Sequence, residues 1–269
     1  MPTYTQYMDP TDTGTGPSNI IWADCPWLQM LNDGSGYCFH DDFHVRGLTP
    51  GTLTAEIADQ SGYYTFFGSA GATINPGAEL GGTVVLTESD DNQVAIISTE
   101  AKPFQITQNG GQFWFECRVK PGTVTTLEQG FFIGLMDTTA TSATVPLTAT
   151  GTIADINCVG FHKPEANTPA FDPSCKADGV TAVEVNSDVG TLSTSSYIKL
   201  GMKYDPRDYK LSFYINGAKQ ATTKTIPNAT GTDFPADVVM GPVCAILCGT
   251  DNDNVLTMDW WRFAQLRTA

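Results

Sequence analysis

Two histidines four residues apart are the first candidates for chemistry in this chain of 269 residues. His40 and His44 flank Asp41-Asp42-Phe43, and on a helix both imidazoles would lie on one face, where they could share a metal ion. The glutamate of an HExxH zinc motif is missing, however, and this stretch is predicted to be extended. In a strand the two histidines would project to the same face roughly 13 Å apart, which is too far for one ion. We therefore expect surface histidines, with a metal site as the alternative.

Two clusters of carboxylate and amide residues could bind calcium, because they supply hard oxygen ligands. They are Asp90-Asp91-Asn92 and Asp251-Asn252-Asp253-Asn254. Neither has the spacing of an EF-hand loop, which closes with a glutamate. We expect solvated turns, with calcium binding as the alternative. A third histidine, His162, precedes Lys163-Pro164 in a predicted loop and receives no role.

The seven cysteines are expected to be free thiols. Their number is odd, no two have CxxC spacing, and no export signal accompanies them. Buried or half-buried thiols in a reducing cytosol are therefore expected. A zinc site and disulfides formed after release from a cell are the alternatives. The cysteines are Cys25, Cys38, Cys117, Cys158, Cys175, Cys244 and Cys248.

The balance of charge excludes several classes of partner. Asp and Glu number 29 against 14 Lys and Arg, which gives a formal net charge of -15. Such a surface repels phosphate backbones and anionic lipid heads, so we expect neither nucleic acid nor membrane as a partner. No apolar run reaches the length of a transmembrane helix, about 18 residues or more. The chain begins Met1-Pro2-Thr3-Tyr4 and its first basic residue is Arg46, which argues against a Sec-type signal peptide.

Alternating apolar and polar residues predict β-strands from about residue 37 onward. Residues 113–119 alternate with a period of two, which turns one set of side chains inward. Residues 130–137 are a nearly unbroken apolar run, as the centre of a sandwich allows. Residues 210–215 run into Asn216-Gly217, which tolerates the positive φ of a type I′ turn and predicts a hairpin returning over about 218–225. Further strands are expected at 83–87, 94–98, 156–161, 181–185, 197–204, 239–248 and 255–266.

Evidence for helices is thin. No window sustains an i, i+3, i+4, i+7 apolar pattern, and glycine or proline interrupts every long candidate. Many short strands joined by Gly, Pro, Asn and Asp turns predict an all-β protein with an antiparallel β-sandwich or jelly roll. No Pro/Ser-rich linker divides the later chain, so a single jelly-roll domain is expected over residues 37–269.

Residues 1–36 are expected to form an extended N-terminal arm. They are rich in Thr, Gly, Pro and Asp, and polar stretches of this kind do not fold alone. A few large apolar side chains would fix the arm on its own domain or on a neighbouring subunit, and a loosely ordered terminus is the alternative. The candidate partner-contact residues are Ile20, Ile21, Trp22, Trp27 and Leu28.

Several segments, taken in order, carry a family resemblance. They are Asp41-Asp42-Phe43, residues 113–120 (FWFECRVK), 130–137 (GFFIGLMD), 200–204 with 213–217 (LGMKY, FYING) and 257–263 (TMDWWRF). This order resembles the concanavalin A-like, or laminin G-like, jelly roll. More narrowly, it is similar to jelly-roll proteins encoded beside the major capsid protein of tailed bacteriophages, which decorate or cement the outside of the head.

The fold that the chain resembles includes glycoside hydrolases, whose retaining members place a nucleophile and an acid on one strand face as Glu-x-Asp-x-x-Glu. The nearest match, Glu88-Ser89-Asp90-Asp91-Asn92-Gln93, lacks the last glutamate and is typical of a turn. Glu116 and Arg118 share a strand face and would form an ion pair rather than an acid–nucleophile pair. No nucleophile elbow, P-loop or dinucleotide fingerprint is present. We therefore expect no enzyme, no cofactor and no metal.

The resemblance implies a structural virion protein on the capsid exterior, made in the host cytoplasm. It would bridge subunits of the major capsid protein, with the rigid sandwich and its arm spanning the seams, and would form a homo-dimer or homo-trimer. The alternative is a carbohydrate-binding, lectin-like module, also virion-borne. The adjacent Trp260 and Trp261 face opposite sides of a strand, so one of them is expected to pack against the arm or a neighbour, and a glycan contact is the alternative.

Overall fold

Eighteen strands and two short helices make up the described part of the protein. The computed structural model describes residues 14–43, 53, 57–58, 63–69, 71–79, 81–138, 145–166, 169–181, 183–185, 187–228, 233–250 and 254–268. The elements are α1 (Asn19–Trp22), α2 (Trp27–Asp33), β1 (Gly36–Asp41), β2 (Ile57–Ala58), β3 (Tyr64–Gly68), β4 (Thr73–Pro76), β5 (Val84–Glu88), β6 (Val94–Thr99), β7 (Phe104–Gln105), β8 (Phe113–Pro121), β9 (Gln129–Met136), β10 (Cys158–Lys163), β11 (Ala170–Lys176), β12 (Val183–Glu184), β13 (Gly190–Thr191), β14 (Ile198–Asp205), β15 (Lys210–Ile215), β16 (Ala218–Thr225), β17 (Val239–Cys248) and β18 (Asn254–Leu266).

The strands form two antiparallel sheets packed as a sandwich. The first sheet has the order β16-β15-β14-β8-β18-β5-β4, and β1 pairs with β18. The second has the order β12-β11-β10-β9-β17-β6-β3-β2, with β13 on β11 and β7 on β17. Short strands joined by turns bury one face of each sheet against the other. The predicted all-β antiparallel sandwich is confirmed.

The core lies between the sheets, but the second sheet is buried on its outer face as well. Phe131, Ile133 and Leu135 of β9 point into the core between the sheets. The alternate residue Phe132 points outward and packs in a separate apolar cluster with Leu147 and other residues of 145–156, which cover the sheet. A strand buried on both faces needs apolar residues at every position, which explains the unbroken run in β9.

The structure contains the hairpin that the sequence predicts, with the same two strands and the same turn. β15 ends at Ile215 and β16 begins at Ala218. The two residues between them, Asn216 and Gly217, have φ of 48° and 77°. Positive φ at both positions is the signature of a type I′ turn, whose twist matches that of the flanking strands.

The described part of the N-terminal segment differs from an extended arm, because α1 and α2 lie within it. Both helices are short, at 4 and 7 residues, so neither is long enough to show a helical periodicity in the sequence. Gly34, at φ 69°, ends α2 in the left-handed region. Residues 1–13 of the predicted arm lie outside the described residues. No helix in the described ranges is long and apolar enough to cross a membrane.

Candidate functional site

A groove lies beside β1, which pairs with β18 at the margin of the first sheet. It consists of two cavities of about 350 Å³ and about 330 Å³ that share Tyr37, and we call it the edge groove. The apolar part is lined by Tyr37, Cys38, Phe39, Tyr63, Thr99, Glu100, Ala101, Pro103, Phe104 and Pro242. The polar part is lined by Tyr37, Gln105, Gly110, Gly111, Gln265, Leu266, Arg267 and Thr268.

The apolar part opens where β17 changes its pairing partner. The first residues of β17, Val239 and Met240, pair with β7. Pairing of β17 with β6 begins at Val243. Pro242 lies in this gap and has no N–H to donate to a ladder. A Cβ on the preceding Gly241 would lie 2.5 Å from the carbonyl oxygen of Ala101, so glycine lets the β6–β7 connection pass close to β17. Local chemistry in β17 therefore shapes the floor of the groove.

Aromatic rings form the apolar part. Tyr37 and Phe39 are half-buried on β1, and the Tyr37 ring packs against Phe104 at a centroid distance of 5.6 Å. Tyr63 stands at the rim with 51% of its surface exposed. Glu100 is the acidic residue of this part, and its Oε1 accepts a hydrogen bond from Thr65. These side chains can offer a ring face for stacking and one carboxylate for hydrogen bonding.

Gln265 fixes the polar part. It is 2% exposed, and its Oε1 accepts hydrogen bonds from the Tyr37 hydroxyl at 2.8 Å and the Gln105 N–H at 2.9 Å. Its Nε2 donates to the carbonyl oxygens of Gln105 and Gly111. Burial raises the pKa of Tyr37, and the nearby Arg267 guanidinium partly offsets this, so the phenol is neutral at pH 7. A neutral phenol held in this way can still accept a hydrogen bond from a ligand.

The lining of the edge groove contains few carboxylates. Glu100 is its one carboxylate among the described lining residues. Glycoside hydrolysis by a pair of carboxyl groups needs two of them about 5–9.5 Å apart. The sequence pattern named Cys38 only as one of the seven cysteines and gave the other groove residues no role, because Tyr37 lies at the predicted domain boundary and Tyr63 follows no alternation that marks a strand.

The carboxylates of residues 88–93, the nearest match to the hydrolase motif, do not line the edge groove. Glu88 ends β5 and is fully buried, where its Oε1 accepts the backbone N–H groups of Ser89 and Asp90. Burial raises the pKa of Glu88 to about 7. Asp90 and Asn92 lie in the turn that was predicted, with Asn92 at φ 61°. Residues 251–253 of the second acidic cluster lie outside the described residues, and within the described ones no three metal-ligating side chains converge.

The predicted ion pair between Glu116 and Arg118 is wrong. Arg118 instead pairs with Asp259, since a register shift between Met258 and Trp260 brings Asp259 beside it. Glu116 is fully buried and has its partners in the N-terminal segment. The two side chains share a strand face, as expected, but each finds a closer partner on another element.

Glu116 binds the N-terminal segment. Its carboxylate accepts hydrogen bonds from the Ser18 N–H at 2.8 Å, from the Ser18 hydroxyl at 2.5 Å and from the indole N–H of Trp22 at 2.8 Å. The Arg262 guanidinium lies between two rings, 4.3 Å from the centroid of Trp22 and 3.8 Å from that of Trp27. Residues 18–27 are thus fastened to the outer face of the first sheet.

The five candidate partner-contact residues differ in how far they are buried. Ile21 and Trp22 are fully buried against the first sheet, and Trp27 is half-buried. Ile20 and Leu28 are 54% and 44% exposed. Contact with a partner stays a prediction for all five. Trp260 and Trp261 do face opposite sides, since Trp261 lies in the core and the Trp260 indole donates to the carbonyl oxygen of Thr15.

Two of the three histidines lie within the described residues. His40 is exposed on β1, and His44 lies outside the described residues. The prediction that His162 lies in a loop is wrong, because it belongs to β10 and is 4% exposed. Its Nε2 donates to the carbonyl oxygen of Gly151 at 2.7 Å, and burial lowers the pKa of His162 to about 4. β10 is buried at every position, so its sequence shows no alternation of apolar and polar residues from which the burial of His162 could be predicted.

The cysteines agree with the sequence prediction. All seven are free, six are buried and Cys38 is half-buried. Burial raises the pKa of Cys25 to about 12.

Comparisons with known proteins identify the fold. No family model and no curated protein matches the sequence. Among solved structures, a protein of unknown function from Shewanella oneidensis MR-1 is 14% identical, with a TM-score of 0.57 over 87% of this chain and 88% of that one. Peanut lectin is 14% identical, with a TM-score of 0.54 over 85% and 97%. An endo-1,3-β-glucanase from Streptomyces sioyaensis is 12% identical, with a TM-score of 0.52 over 87% and 97%.

At these identities the likeness concerns the fold and leaves activity open. The neighbours include lectins and glucanases that share the two-sheet sandwich. The chain therefore has the jelly-roll fold of the concanavalin A-like lectins and glucanases.

Proposed function

We propose that this protein binds carbohydrate and that the edge groove is its binding site. The observation that carries the proposal is the meeting, at Tyr37, of an aromatic cavity and a cavity lined by amides and a guanidinium. Ligand sites are concave, mostly apolar and supplied with a few well-placed polar groups. The groove has these properties.

The chemistry of a sugar ring suits both parts of the groove. A pyranose has apolar C–H faces that can stack on Tyr63 and Phe39, and hydroxyl groups that exchange hydrogen bonds with polar side chains. Tyr37 and Glu100 both line the apolar part and carry oxygen atoms that can exchange hydrogen bonds with such hydroxyls.

The comparisons support this proposal through the fold. Peanut lectin and other sugar-binding proteins use the same sandwich. The residues of the edge groove belong to this chain, however, and the proposal depends on them rather than on the neighbours.

A glycan array followed by calorimetry with the best ligand tests the proposal. We expect Tyr63→Ala to lower affinity about tenfold, because it removes a rim aromatic ring. Tyr209→Ala is the matched control, since Tyr209 is 43% exposed and does not line the groove. Absence of binding to any glycan, or equal affinity of the wild type and Tyr63→Ala, would contradict the proposal.

A second candidate function is structural. Ile20, Leu28 and Leu31 of the N-terminal segment are 54%, 44% and 62% exposed, which is unusual for large apolar side chains and suits contact with another protein. For this candidate we propose the capsid exterior as the location and the major capsid protein as the partner, with the homo-dimer or homo-trimer as the assembled form.

Co-sedimentation with capsids that lack the protein tests the structural candidate. The triple variant Ile20→Ser, Leu28→Ser, Leu31→Ser should fail to sediment, while Val239→Ser should behave as the wild type. Val239 is 55% exposed and lies outside the N-terminal segment. Equal co-sedimentation of both variants would refute the role of these residues.

A further inference from the structure

The polar part of the edge groove holds a cation that the protein itself does not neutralise. Most of the described cations are engaged. Six form ion pairs with carboxylates, namely Arg118, Lys120, Lys176, Lys203, Arg207 and Lys224. Lys102, Lys163 and Lys199 donate to backbone carbonyls, and Arg262 stacks on two indoles.

Arg267 is different from these residues. Among the described residues its guanidinium has no hydrogen bond and no ion pair, and its side chain is exposed at the wall of the groove. Its backbone N–H donates to the carbonyl oxygen of Ser35 at 2.9 Å, so the backbone at Arg267 is held beside the start of β1. The two remaining described cations with no carboxylate, carbonyl or ring partner, Lys210 and Lys219, lie on β15 and β16 and line neither part of the groove.

We propose that the edge groove binds an acidic glycan, whose anionic group pairs with Arg267. This inference rests on the proposed function. A guanidinium presents parallel N–H donors that fit a carboxylate or a sulfate in a bidentate manner. The uncharged part of the sugar then covers the aromatic part of the groove.

The groove has a charge polarity that fixes the direction of the ligand. Glu100 is exposed in the aromatic part, and Arg267 belongs to the polar part, with Tyr37 between them. An anionic substituent is attracted at one end and repelled at the other. The ligand therefore enters with its charged unit at Arg267 and a neutral unit at Glu100.

The net charge of the protein limits the ligand further. With a formal charge of -15, the surface repels a polyanion at long range. An isolated anionic group can still be bound, because a contact pair is governed by the local guanidinium. The glycan thus carries one or few anionic groups separated by neutral sugars.

Calorimetry with the full chain and matched oligosaccharides tests the inference. Three ligands of equal length are compared: a neutral one, one with a single uronic acid and one with a single sulfate. We expect an anionic ligand to bind about tenfold more tightly than the neutral one at low salt, with the preference decreasing as salt is raised. The two anionic ligands decide whether the group is a carboxylate or a sulfate.

The variant Arg267→Gln should lose this preference and keep the affinity for the neutral ligand, while Lys219→Gln should keep both. Equal binding of all three ligands by the wild type, or a preference retained in Arg267→Gln, overturns the acidic-glycan inference and leaves the proposed function standing. Absence of binding to every glycan overturns the proposed function as well.

Discussion

Two buried ionisable side chains, Glu116 and His162, hold covering segments onto the outer faces of the two sheets. Glu116 accepts hydrogen bonds from Ser18 and Trp22 of the N-terminal segment. His162 donates to Gly151 in the segment that covers the second sheet. Buried polar groups of this kind are stabilising only while their partners are in place.

Removing the Glu116 carboxylate is expected to be costly. Glu116→Ala would leave the buried N–H of Ser18 and the indole N–H of Trp22 without an acceptor, which we expect to lower the free energy of unfolding by about 2–3 kcal/mol. Urea unfolding measures this free energy. Glu79→Ala is the control, because that carboxylate is exposed and pairs at the surface with Lys120. A change below about 0.5 kcal/mol would contradict the role assigned to Glu116.

His162 should make the stability depend on pH. Its pKa is lowered by burial to about 4 in the folded protein, from the ordinary value of 6.5. The unfolded chain therefore takes up the proton first, so the stabilisation is complete above pH 6.5 and is lost as the pH falls towards 4. We expect a loss of about 3 kcal/mol across this window.

The variant His162→Gln isolates this contribution. Glutamine can still donate to Gly151 but does not titrate. Glu88, whose folded pKa is raised to about 7 by burial, contributes in the opposite direction, because protonation favours the folded state as the pH falls from 7 towards 4.5. Unfolding free energies of wild type and His162→Gln at several pH values give the difference. A difference that does not vary with pH would refute the prediction.

At the scale of single elements, the hairpin β15–β16 depends on Gly217. Its φ of 77° suits glycine and strains a β-branched residue. We expect Gly217→Val to lower the free energy of unfolding by about 1–2 kcal/mol. Ala218→Val, one residue later in β16, is the control, since valine suits a strand. Equal melting temperatures of the two variants would show that the turn tolerates the side chain.

The N-terminal segment contributes to stability through the face that it buries. Trp22 is fully buried, so Trp22→Ala is expected to lower the free energy of unfolding by about 3–5 kcal/mol. Ile20 is 54% exposed in the same helix, so Ile20→Ala should change it by less than about 0.5 kcal/mol. Chemical denaturation measures both. A similar loss in the two variants would mean that α1 is docked differently.

At the scale of the whole molecule, no covalent cross-link contributes to the fold, since all seven cysteines are free. We expect the same melting temperature with and without a reducing agent. In the native protein an alkylating reagent should modify Cys38 first, because the other thiols are buried. Mass spectrometry locates the modification. A melting temperature that falls on reduction would reveal a disulfide.

The sandwich was largely predictable because its signals are short-range. The alternation in β8, the apolar run of β9 and the Asn216-Gly217 turn each depend on a few neighbouring residues. The sequence does not predict β11, because Pro173 interrupts the alternation of apolar and polar residues in this strand. The short helices α1 and α2 form where Trp22 and Met30 find apolar partners on the first sheet. Tertiary packing decided those elements.

The amino-acid sequence alone determined the antiparallel sandwich, its principal strands and the free cysteines, because local alternation and turn chemistry suffice for them. The tertiary structure decided the edge groove and the partners of Glu116 and Arg118. Tyr37 and Gln265 meet in the groove although 228 positions separate them in the chain. Such a meeting depends on how β1, β7 and β18 pack together, and no local pattern encodes it.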